Sequence, residues 1–228
     1  NENEKLTGAV CYEGNELLGY LVGEYDANNS KVRVKPYGFS AKGHDVEKVI
    51  YYLYKYCAKK WVLKGWRDHV IESLDIKEYI SSLQNLGFAF QQTHGLLRIS
   101  DYKERFSNAD VSIRSMKDDD EHILREMADI IFSYQNDSPV FASAPLDFVN
   151  EIRDGYAGLV KDDDVILYIA ETDRAVAFQG FWPEKAGYLI PNKAVEFAIA
   201  GTYTEYSNKG IGRALMNHTV KDLALKGY

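Results

Sequence analysis

The stretch from Lys193 to Tyr228 changes its period once, and the change falls on a turn carrying two glycines. "KAVEFAIAGTY" is an apolar run with the composition of a strand, the longest strand candidate in the chain. "IGRALMNHTVKDLALKG" repeats its apolar residues at helical spacing, enough for a helix of about five turns. Between them "TEYSNKGIGRAL" leaves almost no loop, so the strand must feed directly into the helix. Glycines at 210 and 212 let the backbone approach a ligand closely and reach angles closed to other residues. N–H groups at a helix start have no partners within the helix, and with the macrodipole they form an anion site. Lys209 and Arg213 add positive charge on either side, so the turn reads as a phosphate cradle.

Two familiar phosphate turns fail on spacing. A P-loop needs Gly-Lys-Ser/Thr after four intervening residues, whereas here lysine precedes the glycine and no Ser/Thr follows. A dinucleotide fingerprint needs a third glycine where this chain has Ala214-Leu215, and a βαβ frame where the strands read as a meander.

The first half begins with "GAVCYEG" and "LLGYLVGEY", two strands flanking a Gly14-Asn15 hairpin turn. After the polar turn "DANNS", "KVRVKPYGF" is a third strand. Asp45 to Lys60 places Val46, Val49, Ile50, Leu53 and Cys57 on one helical face, with Asp45 as N-cap. "HVIESL" reads as a strand, "IKEYISSLQNLGF" as a helix closed by Gly87, and "FAFQQTHGLLRIS" as one or two further strands. A polar connection, residues 101–110, leads to the second series. There "VSIRS" is a strand, "DDDEHILREMADIIFSY" a helix with an acidic first turn, and "LDFVNEIRDGY" a shorter helix beyond Pro139 and Pro145. "VILYIAE" and "AVAFQGFW" read as antiparallel strands joined across Thr172-Asp173-Arg174.

The halves share an order: antiparallel strands, a longer strand, a turn containing Lys-Gly, then a long helix. "AKGHDVEKVIYYL" can be laid beside "NKGIGRALMNHTV". This weak internal repeat favours two related α+β domains, residues 1–105 and 106–228, over one large fold. A chain of 228 residues suffices for two small cores.

Composition excludes some functions. A net charge of −7 argues against nucleic acid as the main partner and for cationic or neutral substrates. No run of about 18 apolar residues exists, so no membrane span or membrane partner is expected. Cys11 and Cys57 make no disulfide framework, which fits a reducing, cytoplasmic setting. The five histidines lack metal-ligand spacing with each other or with cysteine, and the acidic runs lack EF-hand spacing, so no metal is expected.

The glycine turn resembles the acyl-CoA turn of the GNAT superfamily, the acetyl-CoA-dependent N-acetyltransferases. That pattern is a strand followed by Gln/Arg-x-x-Gly-x-Gly/Ala opening a helix, and here it reads Ser207-Asn208-Lys209-Gly210-Ile211-Gly212. The resemblance extends in element order over Val111 to Tyr228. It implies an α+β fold of two GNAT-like domains, each a mixed, mostly antiparallel sheet flanked by helices. It also implies acetyl-CoA as co-substrate. Main chain around Thr202, Tyr203 and Thr204 would pair with the pantetheine arm. That of Ser207, Asn208, Lys209, Gly210, Ile211, Gly212 and Arg213 would hold the pyrophosphate. Ser207 stands where the family has Gln or Arg, so one side-chain contact is shortened or lost.

The implied reaction is direct acetyl transfer to a primary amine, which needs a neutral amine at the thioester and a route for its proton. Glu196, eleven residues before Ser207, matches the general-base glutamate of the histone-acetyltransferase branch. Facing a cleft, its apolar sequence neighbours would desolvate it and strengthen it as a base. On the solvent face of an edge or bulged strand it would have no such role. Glu205 is a second option, more solvated. The family's thiolate-side tyrosine normally comes from beyond the CoA helix. By the same comparison, the chain reads as a window cut from a longer tandem protein, lacking elements at both ends. Tyr203, Tyr206 and Tyr188 cannot take the acid role on sequence grounds.

In the first half Asp45 aligns with Gly212. A carboxylate there would satisfy the N–H groups a phosphate needs and repel the phosphate itself. The first domain is therefore expected to be degenerate, keeping a GNAT-like fold without binding CoA well, packing on the second as an internal pseudo-dimer and helping to shape its acceptor cleft. A shifted alignment, with Lys42-Gly43 still holding a phosphate, is the rival reading. The acidic composition favours a small cationic amine over acidic acceptors, and a small molecule is the expected substrate, with a protein N-terminus or lysine left open. A non-catalytic acyl-CoA sensor or scaffold, and a different nucleotide in an unrelated fold, are the competing classes.

Overall fold

The computed structural model describes residues 6–26, 31–137, 149–187 and 189–228. The turn expected at 26–30, Pro139, Pro145, the start of the helix expected from Leu146 and Tyr188 lie wholly or partly outside them. The chain divides into two units, Asn1–Gln91 and Gln92–Tyr228, an α+β arrangement with one sheet in each.

In the first unit β1 (Leu6–Glu13) and β2 (Glu16–Asp26) form the expected hairpin, with Gly14 at φ 57°. The segment read as one strand, "KVRVKPYGF", is two. β3 (Lys31–Val34) pairs with residues 24–26 of β2 and β4 (Phe39–Ala41) with residues 19–21. A 3-10 turn at Pro36–Gly38 separates them, because Pro36 has no N–H to give the ladder. Helix α1 (Val46–Leu63) follows, then β5 (Asp68–Ile71), parallel to β3, so this sheet is mixed. Helix α2 (Lys77–Asn85) ends at Gly87, φ 91°. Helix α1 buries Val49, Ile50, Leu53, Cys57 and Trp61 against Leu21, Val32 and Val34 of the sheet. Burial pushes the Cys57 thiol up to about 11, so it packs as an apolar side chain. Residues 88–98 form no strand: Phe90, Leu96 and Leu97 are exposed, and the apolar run meets no strand to pair with.

The second unit contains β6 (Ser112–Ser115), α3 (Glu121–Asp137), α4 (Val149–Gly158), β7 (Ile166–Glu171), β8 (Ala175–Glu184), β9 (Ala194–Thr202) and α5 (Ile211–Leu225). Its sheet is an antiparallel meander, β6-β7-β8-β9, with β9 at the edge. Alternation along β7 buries both faces. Tyr168 and Ala170 meet Ile211, Leu215 and Leu223 of α5, while Leu167 and Ile169 meet Leu124 and Met127 of α3. Arg114 fastens β6 to the start of α3 by a bidentate pair with Asp120, at 2.6 and 2.9 Å, and also binds Glu171. In this unit β8, with ten residues, exceeds β9 with nine, and the fifteen residues of α5 make about four turns.

Residues 102–107, read as a polar connection, lie along α5. Lys221 pairs with Glu104, Asn217 with Tyr102 and Arg105, Arg213 with Phe106, and Gly210 with Ser107. Positions 210, 213, 217 and 221 form one stripe of the helix, so this segment is a strap docked on a helix face. Its hydrogen bonds run to the second unit although sequence placed residues up to 105 in the first domain.

No helix among the described residues is long and apolar enough to cross a membrane.

Candidate anion-binding site

The site forms where the edge strand β9 passes through a tight turn into α5. Tyr203 O accepts from Tyr206 N–H at 2.9 Å and Thr204 O from Ser207 N–H at 3.1 Å, closing a 3-10 turn over Thr204–Tyr206. The chain then takes two left-handed residues, Asn208 at φ 62° and Gly210 at φ 81°, before Ile211 starts the helix. Asparagine tolerates this region because its short side chain can bond locally; at Gly210 a side chain would also meet Ser107 Oγ at 2.9 Å. Gly212 opens onto free space.

Helix α5 has no side-chain cap and no acidic residue in its first turn. Among the described residues nothing accepts from the N–H groups of Gly210, Ile211 and Gly212. Three adjacent donors, the positive end of the helix dipole and a left-handed turn make a concavity for an oxyanion. Helix α1 resolves the same problem differently: Asp45 Oδ1 accepts from Lys48 N–H at 3.0 Å. Counted from the first helical residue, Asp45 corresponds to Gly210 and Gly43 (φ 111°) to Asn208. The structural match is thus offset by two residues from the alignment that paired Asp45 with Gly212. The carboxylate lies at the cap itself.

The flanking side chains are partly committed. Arg213 Nη1 donates to Phe106 O at 2.9 Å, while Lys209 Nζ sits 5.1 Å from the Tyr206 ring centre and is exposed. Ser207 Oγ turns back onto Tyr203 O at 3.4 Å, away from the cradle. Tyr203 N–H donates to Val176 O at 3.1 Å, so among residues 202–204, expected from sequence to pair with the pantetheine arm, this donor is already used. The sequence reading missed Arg174, at the β7–β8 hairpin. Its guanidinium packs 5.0 Å from the Tyr203 ring centre and 5.9 Å from that of Tyr206, and bonds Glu205 at 2.9 Å. Glu205 is thereby held in an exposed ion pair, which weakens its claim as a base. An open cleft of about 450 Å³ joins the turn to the strap. Asn108 and Asp110 line it with Thr172, Tyr206, Asn208 and Lys209. Only the hairpin and strap contacts could have revealed those partners, and both are long-range.

Glu196 lies on β9 opposite Trp182, and its side chain is exposed. Of the two placements open to it, a cleft wall or the solvent face of an edge or bulged strand, it takes the solvent-facing one. The register slips next to it: Gly180 faces Ile199 but Phe181 faces Phe197, which leaves Ala198 as a bulge on the edge strand. Among the described residues no group of three or more His, Cys, Asp or Glu is placed to hold a metal.

Buried amides set the helix start. Gln179, on β8 and 4% exposed, donates from Nε2 to Gly212 O at 3.2 Å and accepts from Thr219 Oγ1 at 3.3 Å. Asn217, 9% exposed, grips the strap through Tyr102 and Arg105.

Comparison with protein-family models and with curated proteins gives no match. Among solved structures the chain is similar to several acetyltransferases. One is the PaiA N-acetyltransferase of Thermoplasma acidophilum in complex with coenzyme A. It is 19% identical with a TM-score of 0.40, over 52% of this chain and 75% of that one. Another is the ribosomal-protein-alanine N-acetyltransferase of Brucella melitensis biovar Abortus, 17% identical with a TM-score of 0.39, over 53% and 76%. A third is an aminoglycoside acetyltransferase from an uncultured soil metagenomic sample, in complex with sisomicin. It is 13% identical with a TM-score of 0.39, over 52% and 72%.

Proposed function

We propose that this chain is a GNAT-type N-acetyltransferase that moves an acetyl group directly from acetyl-CoA to a primary amine in the cytoplasm. One observation carries the reading. An edge strand with a bulge runs through a left-handed turn into a helix whose first N–H groups have no side-chain cap and whose first turn carries no acidic residue. The N–H groups of Gly210, Ile211 and Gly212 receive the pyrophosphate, with Lys209 as mobile countercharge and Asn208 and Arg213 shaping the turn. The pantetheine arm runs along the open edge of β9 beside Thr202 and Thr204, which brings the thioester toward the bulge at Ala198. Glu196, two residues from that bulge, is exposed on the strand as it stands. It takes the proton of the attacking amine, directly or through water, only once bound acyl-CoA and acceptor cover it. The acidic surface favours a small cationic acceptor. The first unit, with Asp45 on its helix cap, binds no CoA.

A second reading has its own support. Ser207 Oγ is turned away from the cradle and Glu196 is exposed, an arrangement that suits an acyl-CoA sensor without transfer activity.

Thermal shift with acetyl-CoA, CoA, ATP and NAD tests the site, and thiol release across a panel of amines tests the chemistry. Stabilisation by the CoA species together with amine-dependent thiol release is expected. Stabilisation by neither CoA species overturns both readings, and stabilisation without thiol release selects the sensor.

A further inference from the structure

The carboxamide of Asn217 binds main chain as a neighbouring strand would. Its Nδ2 donates to Arg105 O at 2.7 Å, and its Oδ1 accepts from Arg105 N–H at 3.4 Å and from Tyr102 OH at 2.7 Å. The side chain is buried, so these bonds are formed away from water, where an unpaired amide is costly. Downstream of this clamp the strap reaches the anion turn twice. Phe106 O takes the Arg213 guanidinium, and Ser107 Oγ donates to Gly210 O at 2.9 Å. Beyond Ser107, Asn108 and Asp110 form one wall of the cleft whose other wall is the turn.

We propose that Asn217 is a positioning residue for the anion site, fastening the 102–107 strap so that Ser107 and Phe106 hold the Gly210 turn and Arg213 in their binding geometry. This rests on the acetyl-CoA reading of the turn. The physical basis is linkage: if a docked strap favours the ligand, the ligand favours docking by the same factor. A structural clamp without that role would not respond to ligand.

The strap carries its own reporter, because Lys103 and Arg105 are exposed trypsin sites within it. Cleavage there requires the strap to lift from α5, so its rate follows the open population. For the wild type, CoA is expected to slow cleavage after Lys103 and Arg105, read by mass spectrometry. Asn217→Ala should speed that cleavage without ligand and weaken CoA binding about tenfold by calorimetry. Tyr102→Phe removes one of the clamp's bonds while keeping the ring, and should shift both readouts the same way by a smaller factor. It carries the test if Asn217→Ala does not fold. A wild type that binds no CoA species overturns the reading of the site. A wild type that binds, with a faster-cleaved variant binding as tightly, overturns the strap's role alone, as does CoA that leaves strap cleavage unchanged or speeds it.

Discussion

Asn217 and Arg105 exchange two hydrogen bonds, side-chain amide to main chain, across 112 positions of sequence. That pair converts a polar stretch with no regular structure into a fixed wall beside the start of α5. Ser107 then bonds Gly210 O, and Arg213 bonds Phe106 O, so the turn's conformation depends on a segment that precedes β6.

Gly212 offers a substitution with opposite effects on stability and binding. Its Cβ position is open and its φ is not positive. In Gly212→Asp the carboxylate enters the first turn of α5, where it should stabilise the helix by about 0.3–1 kcal/mol through the dipole. The same charge repels a phosphate at the same N–H groups. Melting temperature should hold or rise while CoA affinity falls at least tenfold. A variant that binds CoA as well as the wild type does would remove the N–H groups of α5 from the site.

Gly210→Ala should harm both properties. The residue sits at φ 81°, and a Cβ there comes within 2.9 Å of Ser107 Oγ. Left-handed strain costs about 1–2 kcal/mol. Ser107→Ala in the same chain relieves the steric part but also removes the Ser107 Oγ bonds to Gly210 O and Ala109 N–H. It should therefore recover at most that part, as denaturation midpoints of the double variant and of Ser107→Ala alone would resolve.

The first unit's helix cap should be worth about 1 kcal/mol. Asp45→Ala removes the acceptor of Lys48 N–H and should destabilise that unit by this amount. CoA affinity should not change, because the proposed site lies on α5. A change in affinity would contradict the division of roles between the two turns.

Tyr168 and Asp222 form a pH-dependent latch on the last turns of α5. The buried Tyr168 hydroxyl bonds Asp222, and Lys226 bonds the same carboxylate at 2.8 Å. Lys226 first, and then Tyr168, holds the Asp222 carboxyl below its ordinary value. Burial first, and then Asp222, pushes the Tyr168 hydroxyl well up. A lowered carboxyl contributes stability above its unfolded value, about 4, and loses it as pH falls through the folded one. A raised phenol contributes stability below about 10 and loses it as pH rises through its folded value. Tyr168→Phe should therefore cost about 1 kcal/mol on a plateau between roughly pH 5 and 9. The gap to wild type should narrow beyond either end. Urea denaturation of both proteins across pH would show a flat difference if the latch contributes nothing.

Local pattern determined much of this protein. Helical spacing in 46–63 and 211–225, the Gly14 hairpin, the Asp45 cap and the stop at Gly87 are each consequences of residues within one or two turns of each other. The turn at 207–213 was legible for the same reason: its glycines and missing cap are local. Tertiary structure decided what needs a distant partner. Residues 88–98 have strand composition but no strand beside them, and the two halves of "KVRVKPYGF", parted at Pro36, find separate stretches of β2 to pair with. Glu196 is exposed because nothing among the described residues covers its face of β9, which no local pattern encodes. Arg174 reaches the turn only through the β7–β8 hairpin, and residues 102–107 become a strap only once α5 presents Asn217 to them. Sequence supplied the turn and the uncapped helix start, since helix ends and turns are set by nearest neighbours. Packing supplied its walls, because a buried amide finds its partner only in the folded chain.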